Sequence, residues 1–423
     1  MTERLLITRL GQRGDGVADG PGGPVFVAGA LPGETVEAEV EGERGRLVAV
    51  ETPSPSRVAP FCPHYGRCGG CVMQHADPAT YAAWKREGVV AALRHARLDA
   101  PVEPLVAAHG EGRRRATFHV RRAPGEGRPV AIAGFMAARS HEVVPLDACP
   151  LLVPALADAP ALARALGEAL GGAGKPLDVQ LTATAGGIDV DVRGHGPASP
   201  SQRRSLALLA ERLDLARLSL HGDVVVERRP PLVTMGKAIV APPPGGFLQA
   251  TAQGEEALAR LVVEAVGKAK IVADLFAGVG PFALRLAERA SVHAVESDGA
   301  AMLALDRAAR QTPGLKPIGV ETRDLFRRPL LGPELARFDA VAFDPPRAGA
   351  EAQARQLAGS AVPVVVAVSC NAASFARDAA LLVAGGYTLA RVTPVDQFWQ
   401  SAHVELVGVF EKKRPGQRRR TLG

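Results

Sequence analysis

Near the end of this 423-residue sequence, a cysteine and a glutamate each stand alone in apolar surroundings. Cys370 closes the run VPVVVAVSC just before NAASFARD, and Glu405 sits inside HVELVGVF. A thiol at the end of a buried strand and the start of a helix is expected to have a lowered pKa, because a helix N-terminus favours the thiolate. Cys370 is therefore a candidate nucleophile. Burial of Glu405 is expected to raise its pKa towards values useful for proton transfer. A third group is Asp344 in FDAVAFDPPRAG, where the rigid pair Pro345-Pro346 would hold the carboxylate at the carboxyl end of a sheet, the edge at which open α/β folds bind ligands.

Two further patterns call for bound groups. DLFAGVGPFAL, residues 274–284, reads as a strand, a Gly278-x-Gly280 turn and a helix opening at Pro281. Glycine there lets a cofactor approach the backbone, and Glu296 at the end of SVHAVE can accept both hydroxyls of a ribose. The third glycine of a dinucleotide fingerprint is absent, so the loop suits adenosine without a pyrophosphate, and S-adenosylmethionine is favoured over NAD. Cys62, Cys68 and Cys71 crowd together, with Cys149 far downstream in DACPLL. Four thiolates can hold an iron–sulfur cluster or zinc. The uneven spacing, Gly69-Gly70 and Pro150 favour iron–sulfur.

The elements that must position these groups fall into three units. Residues 1–54 alternate short β-type runs with Gly-rich breaks, which predicts a small β-barrel. After the Pro-rich TPSPSRVAPFCP, residues 55–245 read as mixed α/β: a helix near Tyr81–His95, strands near Ala116–Arg121 and Val130–Phe135, a helix over 153–170, then strands over 178–192 and 223–227. Residues 246–412 alternate β-branched strands with Ala-rich helices, predicting a parallel, doubly wound sheet. A basic tail, 413–423, follows. The composition, 47% hydrophobic and 22% charged, is that of a packed globular protein, and the net charge of +6 resides in the last twelve residues, which hold six bases and no acid. The lack of any apolar run of signal-peptide or membrane-spanning length predicts a soluble, cytoplasmic protein with no membrane partner.

Together these motifs resemble the bacterial RNA uracil-5-methyltransferases that carry an N-terminal TRAM barrel, a cysteine-bound 4Fe-4S cluster and a C-terminal Rossmann-like methyltransferase domain, the 23S rRNA 5-methyluridine enzymes above all. The resemblance implies cluster ligands at Cys62, Cys68, Cys71 and Cys149. It implies donor contacts from Gln249 of Phe247-Leu248-Gln249, from the loop Phe276 to Pro281, and from Glu296, Asp324 and Asp344. It makes Cys370 the nucleophile, Glu405 the base, and Phe247 and Asp344 the groups against the uracil. The chain departs from the family pattern at Pro281, at DQFW (396–399) in place of DMFP, and at Thr251, where Asn is common.

Carbon 5 of uracil is a poor nucleophile, so its methylation needs a thiol first added at carbon 6, and the base must leave its stack. The resemblance implies RNA as partner, ribosomal before transfer RNA, and a monomer. Arg113-Arg114-Arg115 and Arg121-Arg122 are expected to face RNA phosphates, with the cluster clamping the unit that carries them. Three competing readings are cytosine-5 methylation, amino-group methylation, and an RNA chaperone that kept the fold without activity. Cytosine-5 enzymes commonly place a proline before the thiol, whereas this chain has Ser369, and amino-group methylation leaves Cys370 without a task.

Overall fold

The computed structural model describes residues 2–20, 22–126, 129–170 and 175–412, so the tail expected at 413–423 lies outside the described residues. The alternating runs of the first 52 residues form five strands, Thr2–Leu10, Asp15–Gly20, Gly23–Ala28, Thr35–Glu41 and Arg44–Thr52, closed into a barrel. Alternation sends one face of each strand inward, and Leu5, Ile7, Val25, Val27, Val36 and Ala38 fill the interior.

The central sheet has seven strands in the order Asp223–Glu227, Leu215–Leu220, Gly187–Arg193, Leu177–Thr184, Arg115–Ala123, Val130–Met136, Val143–Pro145. Its helices Ala159–Leu170 and Pro200–Arg212 bury Leu162, Leu166, Leu206 and Leu209. The stretch expected as one helix over 153–170 is a short 3₁₀ turn, Pro154–Leu156, followed by the helix from Ala159. The strand Leu215–Leu220 was not expected. Its sequence LARLSL resembles a helical face, but all six residues are buried in the sheet. Arg217 is accommodated there by donating from Nε and Nη2 to the two carboxylate oxygens of Asp189, each at 2.8 Å.

The third sheet runs Ile318–Thr322, Ser291–Glu296, Ile271–Leu275, Ala340–Phe343, Val364–Ser369, Glu405–Glu411, Thr388–Asp396, Val106–Ala107. The first five strands are parallel, as the alternating pattern predicts. Glu405–Glu411 runs antiparallel to both its neighbours. Helix Ala252–Val266 buries Leu258, Ala259 and Val262 against one face, and helix Ala372–Ala384 buries Phe375, Ala379 and Leu382 on the other.

The segment expected as one central unit, 55–245, is shared between two sheets. Helix Pro78–His95 contributes Val89 and Leu93 to the core of the third sheet, and Val106–Ala107 pairs in parallel with Val395 and Asp396 at its edge. Lys85 on that helix forms a buried ion pair with Asp396. A lone buried charge is costly, so losing either partner would strand the other between helix and sheet. Among the described residues, no helix is long and apolar enough to cross a membrane.

Candidate active site

Parallel strands deliver their C-terminal ends to one edge of the sheet, and the chemistry-bearing residues gather there. Phe276 follows Leu275, Asp344 follows Phe343, Cys370 follows Ser369, and Glu296 ends its own strand. Glu405 reaches the same edge for the opposite reason. It is the first residue of a strand running the other way, and the register pairs Ser369 with Leu406, so the next residues outward are Cys370 and Glu405. Both line one cavity of about 450 Å³, together with Phe247, Gln249, Phe276, Gly278, Pro281, Glu296, Asp324 and Asp344. That volume is in the range of small-molecule sites.

The loop after Ile271–Leu275 is held by its backbone. Phe276 adopts φ +60° and Gly278 φ +54°, and the Gly278 N–H donates to Glu296 Oε2 at 3.2 Å. Gly280, at φ +93°, packs so closely on the neighbouring helix that a Cβ would lie 2.3 Å from Leu305 Cδ1. The helix expected to open at Pro281 is a single turn, Ala283–Leu286. Asp324 caps a turn by accepting from the N–H groups of Phe326 at 2.9 Å and Arg327 at 3.3 Å. The rings of Phe276 and Phe326, both lining the same cavity, are in contact with centroids 5.4 Å apart.

Two carboxyls beside the thiol are joined by amides. Gln249 donates from Nε2 to Asp344 Oδ2 at 2.9 Å, and Gln397 donates from Nε2 to Gln249 Oε1 at 2.6 Å and to Glu405 Oε1 at 3.0 Å. Burial, with Asp344 nearby, pushes the Glu405 carboxyl up to about 8, in the expected direction. Burial likewise raises Asp344 to about 7, opposed by the hydrogen bond from Gln249. The Cys370 expectation is overturned: burial first, then the charges of Glu405 and Asp344, push the thiol up to about 11. The helix N-terminus does not rescue it, because the side chain of Asn371 caps Ala372–Ala384 and takes the free N–H groups of Ala373 and Ser374.

The four other cysteines come together. Cys62, Cys68, Cys71 and Cys149 line one cavity of about 340 Å³ that shares Phe247 and Leu248 with the first. Burial raises the thiols of Cys68, Cys71 and Cys149, and the neighbouring cysteines add to the shift. Among the described residues, no group of three or more His, Cys, Asp or Glu is arranged to hold a metal ion, so the thiols border a space rather than close on a point.

The arginines expected to meet phosphate are engaged by partners within the chain. Arg114 is buried and donates to Glu255 Oε2 at 2.6 Å and to the Gln249 carbonyl at 3.1 Å. Arg115 donates to the Gly246 carbonyl and lies over the Phe247 ring at 5.2 Å, while Arg113 lies over Phe398. Arg121 donates to the carbonyls of Val120 and Leu177, and Arg122 pairs with Glu168. They brace the junction between the central and third sheets and the packing within the central sheet.

Two polar residues at this edge escaped the sequence reading. Asp274, inside IVADLF, is fully buried, has no hydrogen-bond partner for either carboxylate oxygen, and is raised to about 8 by burial and by Asp344. It carries the same signal as Glu405, an acid inside an apolar strand. Gln397 follows Thr388–Asp396 and was visible only as the second letter of DQFW. The Thr251 departure has a local cause. Its Oγ1 caps helix Ala252–Val266 by accepting from the Gly254 N–H, and donates to the Ala108 carbonyl, which fastens the edge strand.

Comparison with known proteins agrees with this layout. A family model described as the TRAM domain matches residues 1–47. An "Uncharacterized RNA methyltransferase" of Brucella suis is 47% identical over 98% of this chain and 99% of its own length. The 23S rRNA (uracil(1939)-C(5))-methyltransferase RlmD of Chromohalobacter salexigens is 36% identical over 97% of this chain and 90% of its own. The structure of a Pyrococcus abyssi tRNA (uracil-54, C5)-methyltransferase, solved with S-adenosyl-L-homocysteine, superposes with a TM-score of 0.70 at 22% identity, covering 96% of this chain and all of that one, so the two share a fold.

Proposed function

Since the chain belongs to the RNA uracil-C5 methyltransferase family whose members carry an N-terminal TRAM barrel, we propose that it methylates carbon 5 of one uridine in RNA through a covalent Cys370–uracil adduct, with S-adenosylmethionine as donor. The observation that carries this reading is the convergence of Cys370 and Glu405 on one sheet edge, inside a cavity that also holds the glycine loop and Glu296. The donor supplies an electrophilic methyl carbon on a sulfonium. A sulfonium also suits a cavity that sets two buried carboxyls, Asp344 and Glu405, beside the thiol. Gly278 and Glu296 receive the ribose, Phe276, Pro281 and Asp324 border the adenine, and Gln249 with Asp344 faces the methionine part and the uracil.

In the reaction, the Cys370 thiol first loses its proton to solvent, the resulting thiolate adds to C6, and the electron pair moves onto the O4 side as an enolate. C5 then takes the methyl group, and the donor leaves as a neutral thioether. Glu405 removes the C5 proton, the C5–H pair forms the C5–C6 double bond, and the C6–S bond breaks to return the thiolate. Phe247, 61% exposed at the mouth of the cavity, offers a ring for the flipped uracil to stack on. Ribosomal RNA is the favoured substrate, because the relative named for 23S rRNA aligns along nearly the whole chain, whereas the likeness to the tRNA enzyme is one of fold.

The cysteine cavity fits an iron–sulfur cluster by the chemistry of its donors. Cys62, Cys68, Cys71 and Cys149 are all-thiol, partly buried, and grouped around a space, and a four-iron cluster spreads its ligands more widely than a single ion does. Such a cluster would act as a covalent staple holding the 62–71 loop against the central sheet.

The test is to incubate the protein with tritiated S-adenosylmethionine and transcripts of 23S rRNA or tRNA, then identify nucleosides by mass spectrometry. The expected product is 5-methyluridine in the ribosomal transcript. Methylcytidine, an N-methylated base or no transfer to any transcript would sink the reading.

A further inference from the structure

Gln397 stands where the family pattern DMFP carries a methionine, and it is wholly buried. A buried amide must find partners or lose free energy. Gln397 finds three. Its Oε1 accepts the Ala250 backbone N–H at 2.9 Å, and its Nε2 donates to both Gln249 Oε1 and Glu405 Oε1.

The backbone contact removes any ambiguity in amide orientation. Ala250 N–H is a donor only, so the atom facing it is the Gln397 oxygen, and the other end is the nitrogen. That nitrogen forces the Gln249 oxygen towards it, which in turn points the Gln249 nitrogen at Asp344 Oδ2. One backbone N–H thus sets the polarity of a chain running from Ala250 through two amides to two carboxyls. Glu405 Oε1 is occupied by this chain, and Oε2 is left buried with no partner.

The helix beside it is cut to fit. A Cβ on Gly254 would lie 2.6 Å from Gln397 Cβ and 2.7 Å from its Oε1, so the first turn of Ala252–Val266 has room for this glutamine only because Gly254 has no side chain.

We infer that Gln397 is a positioning residue: it orients Gln249 towards Asp344 and holds Glu405 by Oε1, so that Oε2 is the oxygen that takes the C5 proton. The inference rests on the uracil-5 reading above. In the step it serves, the C5–H bond breaks, the proton goes to Glu405 Oε2, the freed pair forms C5–C6, and the C6–S pair returns to Cys370. Groups facing Glu405 from the packed elements are Asp344, Cys370 and Gln397, with Arg347, His403 and the Lys85–Asp396 pair just beyond.

The test compares wild type with Gln397→Met, and with Gly254→Ala, which keeps the amide but crowds it. Both are checked for folding by thermal melt, and the second carries the test should the first not fold. Single-turnover assays measure methyl transfer and decay of the covalent RNA adduct separately. The expected result is adduct decay at least tenfold slower, with a pH profile displaced to higher pH, and a donor KM that rises as Gln249 loses its fixed orientation. An arm independent of turnover uses 15N-labelled protein, in which the Gln249 side-chain amide signal is to move in Gln397→Met. Wild-type decay with an unshifted profile in a folded variant, or an unmoved Gln249 signal, overturns the inference. Failure of wild type itself to make 5-methyluridine overturns the reading beneath it instead, and the amide signal still reports on the positioning.

Discussion

Cys370 and Glu405 meet because the strand that carries Glu405 runs against its neighbours. Ser369 pairs with Leu406, and one step outward from that pair the thiol and the carboxyl reach the same edge, in the same cavity. Were Glu405–Glu411 parallel to Val364–Ser369, its first residue would sit at the opposite end of the sheet, a strand's length from the sulfur.

Separate roles for the two groups predict separate failures. Cys370→Ala is expected to abolish both turnover and the covalent RNA adduct. Glu405→Gln is expected to form the adduct, transfer the methyl group and then stall, so that protein–RNA conjugate accumulates on a denaturing gel. A Cys370→Ala protein that still methylates RNA would falsify the thiol mechanism.

The raised thiol gives a pH signature in the free protein. With Cys370 pushed up to about 11, its alkylation by iodoacetamide should climb roughly tenfold per pH unit from neutrality. Because the Glu405 charge contributes to that shift, Glu405→Gln should alkylate faster than wild type at pH 9. A rate already level at pH 7, followed by mass spectrometry of the Cys370 peptide, would contradict the burial argument.

Asp274 should make stability fall with rising pH. Its carboxyl is held protonated in the fold up to about 8, against an ordinary 3.8. Between those values the folded state binds more protons than the unfolded one, so its contribution is complete at low pH and is lost as pH rises through the folded value. The slope is at most about 1.4 kcal/mol per pH unit. Asp274→Asn has no such slope, so the difference in melting temperature between variant and wild type should shift in the variant's favour from pH 5 to pH 8. Parallel curves would refute the assignment.

Gly280→Ala meets two obstacles, a backbone at φ +93° and Leu305 Cδ1 at 2.3 Å from the new Cβ. The variant is expected to lose about 1–3 kcal/mol of stability, and donor affinity by calorimetry should drop tenfold or more as the loop is displaced. Unchanged affinity would mean that the loop does not touch the donor.

Anaerobic purification should yield a brown protein whose iron content falls to background when Cys62, Cys68, Cys71 and Cys149 are replaced by serine. Colourless protein carrying zinc would replace the cluster with a single ion. Loss of the group should lower the melting temperature without moving the Cys370 alkylation profile.

Much of this was legible in one dimension. Short β-type runs separated by Gly-rich breaks announced the barrel, and β-branched runs alternating with Ala-rich stretches announced the parallel sheet. An acid or a thiol inside an apolar strand is visible to anyone reading burial from neighbours, which is how Cys370, Asp344 and Glu405 were found. Leu215–Leu220 was missed because Arg217 disguised a buried strand, and the arginines 113–115 were misjudged because their partners, Glu255, Gly246 and Phe247, are remote in sequence. Gln397 could be flagged only as an unexpected letter.

The sequence by itself determined which residues are chemically able, since residue type, burial within an apolar run and turn geometry follow from the immediate neighbours. The direction of the Cys370 shift, the wiring of Gln397 between two carboxyls and the gathering of four thiols around one cavity were decided by tertiary structure. Electrostatic and hydrogen-bond energies depend on distance through space, and strand register sets that distance between residues the chain keeps far apart.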